Sequence, residues 1–131
     1  MKTYATQSIR NVGIAGHGGT GKTQLVSSLL FTAGMTSRLG KVIEGNTVTD
    51  WDEEEIARKH TIHTGLAYAE WAPAVRTDHS LGSGPAKDPA KMKINFLDTP
   101  GHSTFLDDAR AALVAADAAT SAARASSRNV L

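Results

Sequence analysis

The chain has 131 residues, a formal net charge of +1, 40% hydrophobic residues and no cysteine. This length allows one domain with a real core. The near-zero charge gives no basis for an electrostatic nucleic-acid surface, and the lack of cysteine excludes disulfides and thiolate metal sites. No apolar run approaches bilayer length and the first residues do not lead into a signal-peptide core, so we expect a cytoplasmic protein that binds no membrane.

A short strand and a helix are predicted on either side of a glycine-rich segment. Residues 9–15 carry apolar side chains in the pattern of a buried parallel strand. Apolar residues then recur at helical spacing over residues 25–33, and Gly34 is a natural stop. The segment between them therefore leads from a strand to a helix N-terminus, where the helix dipole favours bound phosphate.

That segment, residues 16–23, reads Gly-His-Gly-Gly-Thr-Gly-Lys-Thr, a complete phosphate-binding loop. Its glycines let backbone N–H groups converge on phosphate oxygens without obstruction by Cβ atoms. Lys22 is predicted to place its charge on the β- and γ-phosphates, and the Thr23 hydroxyl to ligate Mg²⁺. The residues predicted to contact the nucleotide are Gly18, Gly19, Thr20, Gly21, Lys22 and Thr23. The alternative is a chance glycine-rich turn, which the order of strand, loop and helix disfavours.

Acidic residues then predict a short second helix. Asp50 and Glu53 have the spacing of a capping box, and the acidic run over residues 53–55 suits the first turn of a helix that ends at Arg58 or Lys59. We interpret the acidic run as a solvated helix face rather than as catalytic.

Two further strands are predicted in the middle of the chain. Residues 61–71 alternate between two faces, and residues 92–98 alternate apolar with polar side chains. Glycine and proline among polar residues predict a flexible loop over residues 76–89. Because no helix is predicted between the two strands, we expect an antiparallel pair.

A second chemical motif, Asp-Thr-Pro-Gly-His at residues 98–102, follows the last of these strands directly. Asp98 can hold Mg²⁺ through a coordinated water, and the Gly101 N–H can reach a γ-phosphate when one is present. The tetrapeptide Asp-Thr-Pro-Gly is also an ordinary turn, but the phosphate-binding loop upstream favours a nucleotide switch. Apolar spacing over residues 105–116 predicts another helix.

Three motifs in this order resemble the GTPase domain of translation elongation factor G. They are Arg-Asn-Val-Gly-Ile at 10–14 with the phosphate-binding loop, Val-Thr-Asp-Trp at 48–51 with Arg-Lys-His-Thr-Ile at 58–62, and Ile-Asn-Phe-Leu-Asp-Thr-Pro-Gly-His at 94–102. The resemblance covers roughly residues 8–119, apart from the predicted loop. It implies a Ras-like P-loop α/β fold, GTP or GDP with Mg²⁺ as ligands, and, in full-length members, the ribosome as a partner in protein synthesis.

The same resemblance implies roles for two further side chains. Thr61 would ligate Mg²⁺ and sense the γ-phosphate, and His102 would orient the attacking water. The predicted site thus has His102 and Lys22 as catalytic residues, Gly101 on the phosphate, and three metal ligands, namely Thr23, Thr61 and Asp98. Without the resemblance, Thr61 would be read as structural, and His102 could cap a helix or lie in solvent.

Several positions depart from the family pattern. Gly18 and Gly19 stand where the family usually has a bulky apolar residue and an aspartate, and Lys59-His60 replaces Gly-Ile. These changes bear on hydrolysis more than on nucleotide binding. The guanine-reading motifs Asn-Lys-x-Asp and Ser-Ala-x do not occur in the sequence, so we expect weak base selectivity.

Residues 120–129 replace the family's next strand. The sequence therefore predicts a partial P-loop NTPase domain over residues 1–119, with a three-stranded mixed sheet, two main helices and the later strands missing. Residues 120–131 are predicted to form a helical extension or a disordered tail. Since the missing strand would expose residues 9–15 as an apolar edge, a homodimer through that edge is expected.

Two other functions stay open on the sequence. One is a different P-loop ATPase or kinase, which the Asp98-to-His102 motif disfavours. The other is a non-catalytic remnant or interaction module, which would show no thermal stabilisation by nucleotide.

Overall fold

The structure of the protein, a computed structural model, describes residues 3–72 and 91–121. The strands are β1 (Ile9–Ala15), β2 (Gly65–Trp71), β3 (Met92–Asp98) and β4 (Ala118–Ser121), and the helices are α1 (Lys22–Thr32), α2 (Glu53–Arg58) and α3 (Leu106–Val114). Short 3₁₀ turns lie at Thr6–Ser8, Val42–Glu44 and Ser103–Phe105. The predicted flexible loop lies outside the described residues. None of the helices in the described ranges is long and apolar enough to cross a bilayer.

One mixed sheet carries the fold, with the strands in the order β2-β3-β1-β4. β1 is parallel to both of its neighbours, and β2 is antiparallel to β3, which confirms the predicted pair. β2 begins at Gly65 rather than at residue 61, because the preceding N–H groups bond side chains instead of a strand. Those of Ile62 and His63 donate to Glu55 Oε1, each at 2.9 Å, and that of Thr64 donates to Asp108 Oδ2 at 2.6 Å.

The fourth strand corrects the prediction of a three-stranded sheet. β4 pairs with β1, with Val12 opposite Ala118 and Ala15 opposite Ser121. β1 therefore lies between two strands, and the homodimer expected from an exposed β1 edge loses its basis. Thr120 and Ser121, which the sequence assigned to a helical or disordered extension, are strand residues. Residues 122–131 lie outside the described ranges.

Hydrogen bonds at the start of β4 explain how a strand without apolar alternation is held. The Asp117 N–H donates to Asn11 O at 2.8 Å, and the Asn11 N–H donates to Asp117 Oδ2 at 2.8 Å. Asn11 Nδ2 also donates to Ala115 O at 3.1 Å. These bonds fix the chain beside β1 before the first strand residue. Alanine and serine give β4 little intrinsic strand preference. Contacts with distant residues therefore hold this strand in the sheet, and the local sequence does not indicate it.

Helices cover both faces of the sheet. On one face, α1 buries its apolar side against the strands; this core consists of Ile14, Val26, Leu30, Ala67, Ala69 and Phe96. On the other, α3 approaches β1 so closely at Gly13 that a Cβ there would lie 2.8 Å from Leu113 Cδ2. Ile14 and Gly13 point to opposite faces because strand side chains alternate, so the two helices lie on opposite sides.

The capping box of α2 exists but lies two residues later than predicted. Asp52 is the N-cap, and its side chain accepts from the Glu54 N–H at 2.8 Å while Glu55 accepts from the Asp52 N–H. The predicted pair Asp50–Glu53 and the observed pair Asp52–Glu55 have the same spacing. Asp50 does not cap the helix, because it is 4% exposed and accepts a hydrogen bond from the Thr61 hydroxyl. The helix ends at Arg58, as predicted, and α1 confirms the predicted first helix, with Gly34 at φ 70° after its end.

A candidate nucleotide-phosphate site

A cavity of about 350 Å³ opens at the edge of the sheet where β1 and β3 end. Residues of the phosphate-binding loop, residues 59–61, Asp50, and Gly101 with His102 line it. Because β1 and β3 are parallel and adjacent, their C-terminal ends bring the loop and the Asp98–His102 segment to the same place. This edge is where doubly wound sheets bind their ligands.

The phosphate-binding loop adopts a conformation that requires glycine at three positions. Gly16, Gly19 and Gly21 have φ values of 142°, 75° and 89°, where a side chain would be strained. Gly21 is also the N-cap of α1. Because glycine has no side chain, it cannot cap the first N–H groups of that helix. Alternating backbone conformations of this kind form concave anion sites.

Lys22 is 6% exposed and reaches back over this loop. Its Nζ donates to Gly16 O at 3.0 Å and to His17 O at 3.1 Å. Burial lowers the pKa of Lys22, while the charges of Asp98 and Asp50 act in the opposite direction. The ammonium group is thus held at the cavity by carbonyl groups that a phosphate can replace.

The predicted phosphate-contacting residues come together, with one exception. Gly18, Gly19, Gly21, Lys22 and Thr23 line the cavity with Gly101. Thr20 does not line it, because its hydroxyl donates to His17 O at 2.8 Å and closes the loop.

The Asp98–His102 segment is braced directly against the loop. The Gly18 N–H donates to Gly101 O at 2.9 Å. A Cβ at Gly101 would lie 2.5 Å from Gly18 N and 2.7 Å from His17 C, so only glycine allows this approach. Thr99 anchors the same segment to β1, since its hydroxyl donates to Ile14 O at 2.7 Å.

The predicted metal ligands lie in one network of oxygen atoms. The hydroxyls of Thr23 and Thr61 are 2.9 Å apart, and Thr61 donates to Asp50 Oδ1 at 2.8 Å. The Thr49 hydroxyl donates to Asp98 Oδ2 at 2.7 Å. Hydroxyl and carboxylate oxygens are the donors that Mg²⁺ prefers, and it binds few protein ligands while keeping several waters. The described residues contain no group of three or more His, Asp or Glu side chains that could hold a metal ion.

Asp98 has the most perturbed carboxyl group in the site. It is fully buried, and burial raises its pKa to about 6, against the opposing hydrogen bond from Thr49. Its Oδ1 atom is buried and has no partner among the described residues. A buried carboxylate oxygen without a donor is costly, which makes this atom suited to a water-coordinated cation.

Asp50 and Thr49 are site residues that sequence reasoning missed. Asp50 was interpreted as a helix cap, but it lines the cavity and its pKa is raised, mainly by burial. The one available signal was their place in the stretch that resembles the family's first switch.

His102 lies in the cavity wall rather than in solvent. It precedes the 3₁₀ turn Ser103–Phe105 but makes no capping hydrogen bond with its side chain, so neither alternative from the sequence describes it. Its Nε2 atom is buried and has no partner among the described residues. Its ring centroid lies 4.7 Å from that of His60.

The fold and this cavity define a P-loop nucleotide-binding α/β domain. Residues 7–127 match the family described as the elongation factor Tu GTP binding domain, and the chain belongs to this family. It is a GTP-binding domain of the elongation-factor type.

The sequence is also similar to several longer proteins. An "Elongation factor G-like protein" from Mycobacterium tuberculosis is 40% identical over 111 residues, which is 85% of this chain and 13% of that protein. "Ribosome-releasing factor 2, mitochondrial" from Emericella nidulans is 37% identical over 102 residues, 73% of this chain and 10% of that protein. The predicted resemblance to elongation factor G is confirmed, and the chain spans only a small part of these relatives.

A solved structure from Thermus thermophilus superposes with a TM-score of 0.68 at 36% identity, over 88% of this chain and 15% of that one. A bacterial selenocysteine-specific elongation factor, EF-Sec, has a TM-score of 0.54 at 24% identity over 86% of this chain and 14% of its own, which supports the fold alone.

Proposed function

We propose that this domain binds GTP and GDP through their phosphates together with Mg²⁺, and hydrolyses GTP by direct attack of water. The observation that carries the proposal is the meeting of three distant segments at one cavity: the phosphate-binding loop, Thr61, and the segment from Asp98 to His102.

Phosphate binding belongs to the loop and to Lys22. The Gly18 and Thr20 N–H groups donate to Gly101 O and His17 O, so the β-phosphate would be bound by the other N–H groups of the loop. Lys22 Nζ would exchange the carbonyls of Gly16 and His17 for β- and γ-phosphate oxygens, and the Gly101 N–H would meet the γ-phosphate.

The hydroxyls of Thr23 and Thr61 would hold Mg²⁺ directly, and Asp98 would hold it through a water at its unpartnered Oδ1. Mg²⁺ held by these residues would neutralise the negative charge that develops on the phosphates during transfer. Asp50 accepts a hydrogen bond from the Thr61 hydroxyl and so orients the oxygen lone pairs of that residue.

Hydrolysis in this proposal depends on His102. Its Nε2 atom is buried beside Gly18 and has no partner among the described residues, and we propose that it hydrogen-bonds a water in line with the γ-phosphate once the ring turns toward the cavity. The water oxygen bonds to the γ-phosphorus as the bond to the β–γ bridging oxygen breaks, and one water proton passes to a γ-phosphate oxygen, which gives inorganic phosphate and GDP. Lys22 stabilises the charge on the leaving oxygen of GDP.

The cellular setting is proposed from the relatives. Their names place them in translation, so we propose that this domain serves protein synthesis on the ribosome, as part of the function of a longer protein. One of these relatives is named as mitochondrial; for this chain we propose the cytoplasm, as expected from its sequence.

Melting curves with Mg²⁺ and each of GDP, GTP, ADP and ATP test the proposal. A ligand that binds only the folded state raises the melting temperature. At a hundredfold excess over its Kd, it increases the free energy of unfolding by about 2.7 kcal/mol. We expect stabilisation by GDP and GTP that is reduced when Mg²⁺ is chelated. A clear preference for ATP would favour the ATPase or kinase alternative, and no shift with any nucleotide would favour a non-catalytic module.

A further inference from the structure

One wall of the cavity at the ends of β1 and β3 is apolar. It consists of Val42 and Ile43, which belong to the short 3₁₀ turn Val42–Glu44. Ile43 is 84% exposed although it lines the cavity, so its side chain is open to a bound molecule. Valine and isoleucine side chains offer no hydrogen-bond donor or acceptor, so this wall suits an uncharged, largely apolar part of a ligand.

Gln24 holds this turn against the start of α1. Its Nε2 group donates to Gly40 O at 2.9 Å, and the Val42 N–H donates to its Oε1 at 3.4 Å. Gln24 directly follows Thr23 and lines the cavity itself. The amide group therefore fixes the apolar wall beside a residue that is proposed to hold Mg²⁺.

Further contacts within and behind the turn keep its shape. The Lys41 ammonium group pairs with Glu44 at 2.7 Å across the turn. Gly45 has a φ of 64°, and a Cβ there would lie 2.6 Å from Ile56 Cγ2, so the end of the turn packs against α2. The tip of the turn is thus exposed but fixed on both sides. A surface that is ordered in advance loses little conformational entropy when a ligand covers it.

Phosphates and Mg²⁺ account for the polar walls of the cavity but make no use of the apolar one. Phosphate oxygens need hydrogen-bond donors or cations, which the phosphate-binding loop and Lys22 supply. The loop ends at Thr23, so the turn held by Gln24 lies next to the end of the loop. The part of GTP or GDP that extends beyond the phosphates is the nucleoside, whose sugar carbons and purine face can pack against Val42 and Ile43.

We propose that Val42 and Ile43 form a subsite for the nucleoside part of the nucleotide, and that Gln24 is the positioning residue that keeps this subsite in place. The inference rests on the proposed binding of GTP and GDP. Contact with the sugar carbons and the purine face covers Ile43, and each methylene group removed from water strengthens binding about fourfold. The phosphates of the ligand do not use this subsite.

Direct contact is tested by NMR of the chain with labelled isoleucine and valine methyl groups, in the presence of Mg²⁺ and GDP. We expect nuclear Overhauser contacts between the Ile43 methyl protons and the sugar or purine protons of bound GDP. Val114 is 88% exposed and does not line the cavity, so its methyl groups should show none. Binding of GDP without a contact at Ile43 would overturn the subsite.

The contribution to affinity is tested by titration calorimetry with Mg²⁺ and two ligands, GDP and inorganic pyrophosphate, which lacks the nucleoside. We expect I43A to raise the Kd of GDP about fourfold to twentyfold and to leave the Kd of pyrophosphate within about twofold. I43L keeps the apolar volume and should retain most of the affinity, and V114A, the matched control, should change neither Kd. An equal loss for both ligands, or no loss for either, would contradict the proposal.

The positioning role of Gln24 is tested by a double-mutant cycle. Q24A should raise the Kd of GDP in the wild-type background but add little in the I43A background, because both changes act through the same turn. It should leave pyrophosphate binding unchanged, whereas a general disturbance of α1 would weaken it. Additive losses for GDP in the double variant would rule out a role of Gln24 through the turn.

These outcomes separate the subsite from the proposed function. If the wild-type chain binds neither GDP nor pyrophosphate, the proposed function fails and the subsite fails with it. If the wild-type chain and I43A bind GDP with the same Kd, phosphate binding stands and the nucleoside subsite is wrong.

Discussion

At the residue scale, the cavity combines a buried ammonium group with buried carboxyl groups. Burial acts on both: it lowers the pKa of Lys22 and raises that of Asp98 to about 6. Neither charge is fully compensated without a ligand, because Asp98 Oδ1 has no partner in the described part of the chain. Perturbed groups that converge on a cavity are typical of functional sites; here Lys22 lines the cavity, and the buried Asp98 acts on the charge of Lys22 without lining it.

The Asp98 carboxyl group should make the ligand-free domain less stable as the pH rises. Its pKa is higher in the folded state than the ordinary value of 3.8, so between about pH 4 and 6 the folded chain binds more protons than the unfolded one. D98N, which keeps a side-chain oxygen for Thr49 to bond, should remove this loss. We expect D98N to gain about 2 kcal/mol over wild type between pH 4 and 7, measured by urea unfolding.

D107N provides the control for that comparison. The Asp107 side chain is 98% exposed, and among residues 3–72 and 91–121 its charge pairs with Arg110 at the surface, so its removal should not alter the pH dependence. If D98N and wild type lose stability in parallel over this pH range, the assigned burial of Asp98 is wrong.

At the scale of elements, one carboxylate joins α2 to the segment that carries Thr61. Glu55 is 1% exposed; its Oε1 accepts from the N–H groups of Ile62 and His63, and its Oε2 accepts from the Asp52 N–H. The same side chain therefore caps the helix and holds the turn before β2. The cap that stabilises α2 is therefore linked to the position of Thr61, a proposed metal ligand.

E55Q should destabilise the domain and weaken the dependence of nucleotide binding on Mg²⁺. A glutamine amide turns an NH₂ group toward backbone donors, and leaving such a buried donor unsatisfied costs about 1–3 kcal/mol. The matched control is E54Q, since Glu54 is exposed and its partner in the described part of the chain is the exposed Arg58. Unfolding midpoints report the stability, and titrations with and without Mg²⁺ report the site; equal behaviour of the two variants would contradict the link.

At the scale of the whole molecule, β1 is an interior strand that supports both the core and the cavity. It lies between β3 and β4, carries Ile14 into the core, and leads directly into the phosphate-binding loop. Its partner β4 is exposed along its whole length. The stability of the phosphate-binding loop therefore depends on β1, whose neighbours β3 and β4 differ greatly in their exposure to solvent.

Amide hydrogen exchange should reveal this arrangement. We expect slow exchange for the β1 amides, because β1 is paired with a strand on each side. We expect faster exchange for β4, which lies at one edge of the described sheet. N11A should speed exchange in β4 more than in β3, because it removes the bond from Asn11 Nδ2 to Ala115 O just before β4. It also removes the bond from Asn95 Nδ2 in β3, but β3 stays paired with β1 and with β2. Fast exchange along one side of β1 in the wild-type chain would contradict the pairing with β4.

The sequence predicted the features whose signals are local. The phosphate-binding loop, α1, the β2–β3 pair and the Asp98–His102 motif each depend on neighbouring residues, and the structure has them where the sequence placed them, apart from a shorter β2. β4 was missed because Ala118–Ser121 has no apolar alternation and is held by Asn11, far away in the chain. Asp50 was misassigned because two overlapping capping patterns fit, and the choice depends on the tertiary bond to Thr61.

The central claim is that the cavity binds nucleotide phosphates through Lys22. Titration calorimetry of GDP with Mg²⁺ into the wild-type chain, K22A and K91A tests it most directly, since Lys91 is an exposed lysine away from the cavity. We predict one binding site in wild type and K91A with similar Kd, and a Kd at least about tenfold weaker in K22A, a loss of about 1.4 kcal/mol or more. Absence of binding in wild type, or equal Kd in K22A, would contradict the account.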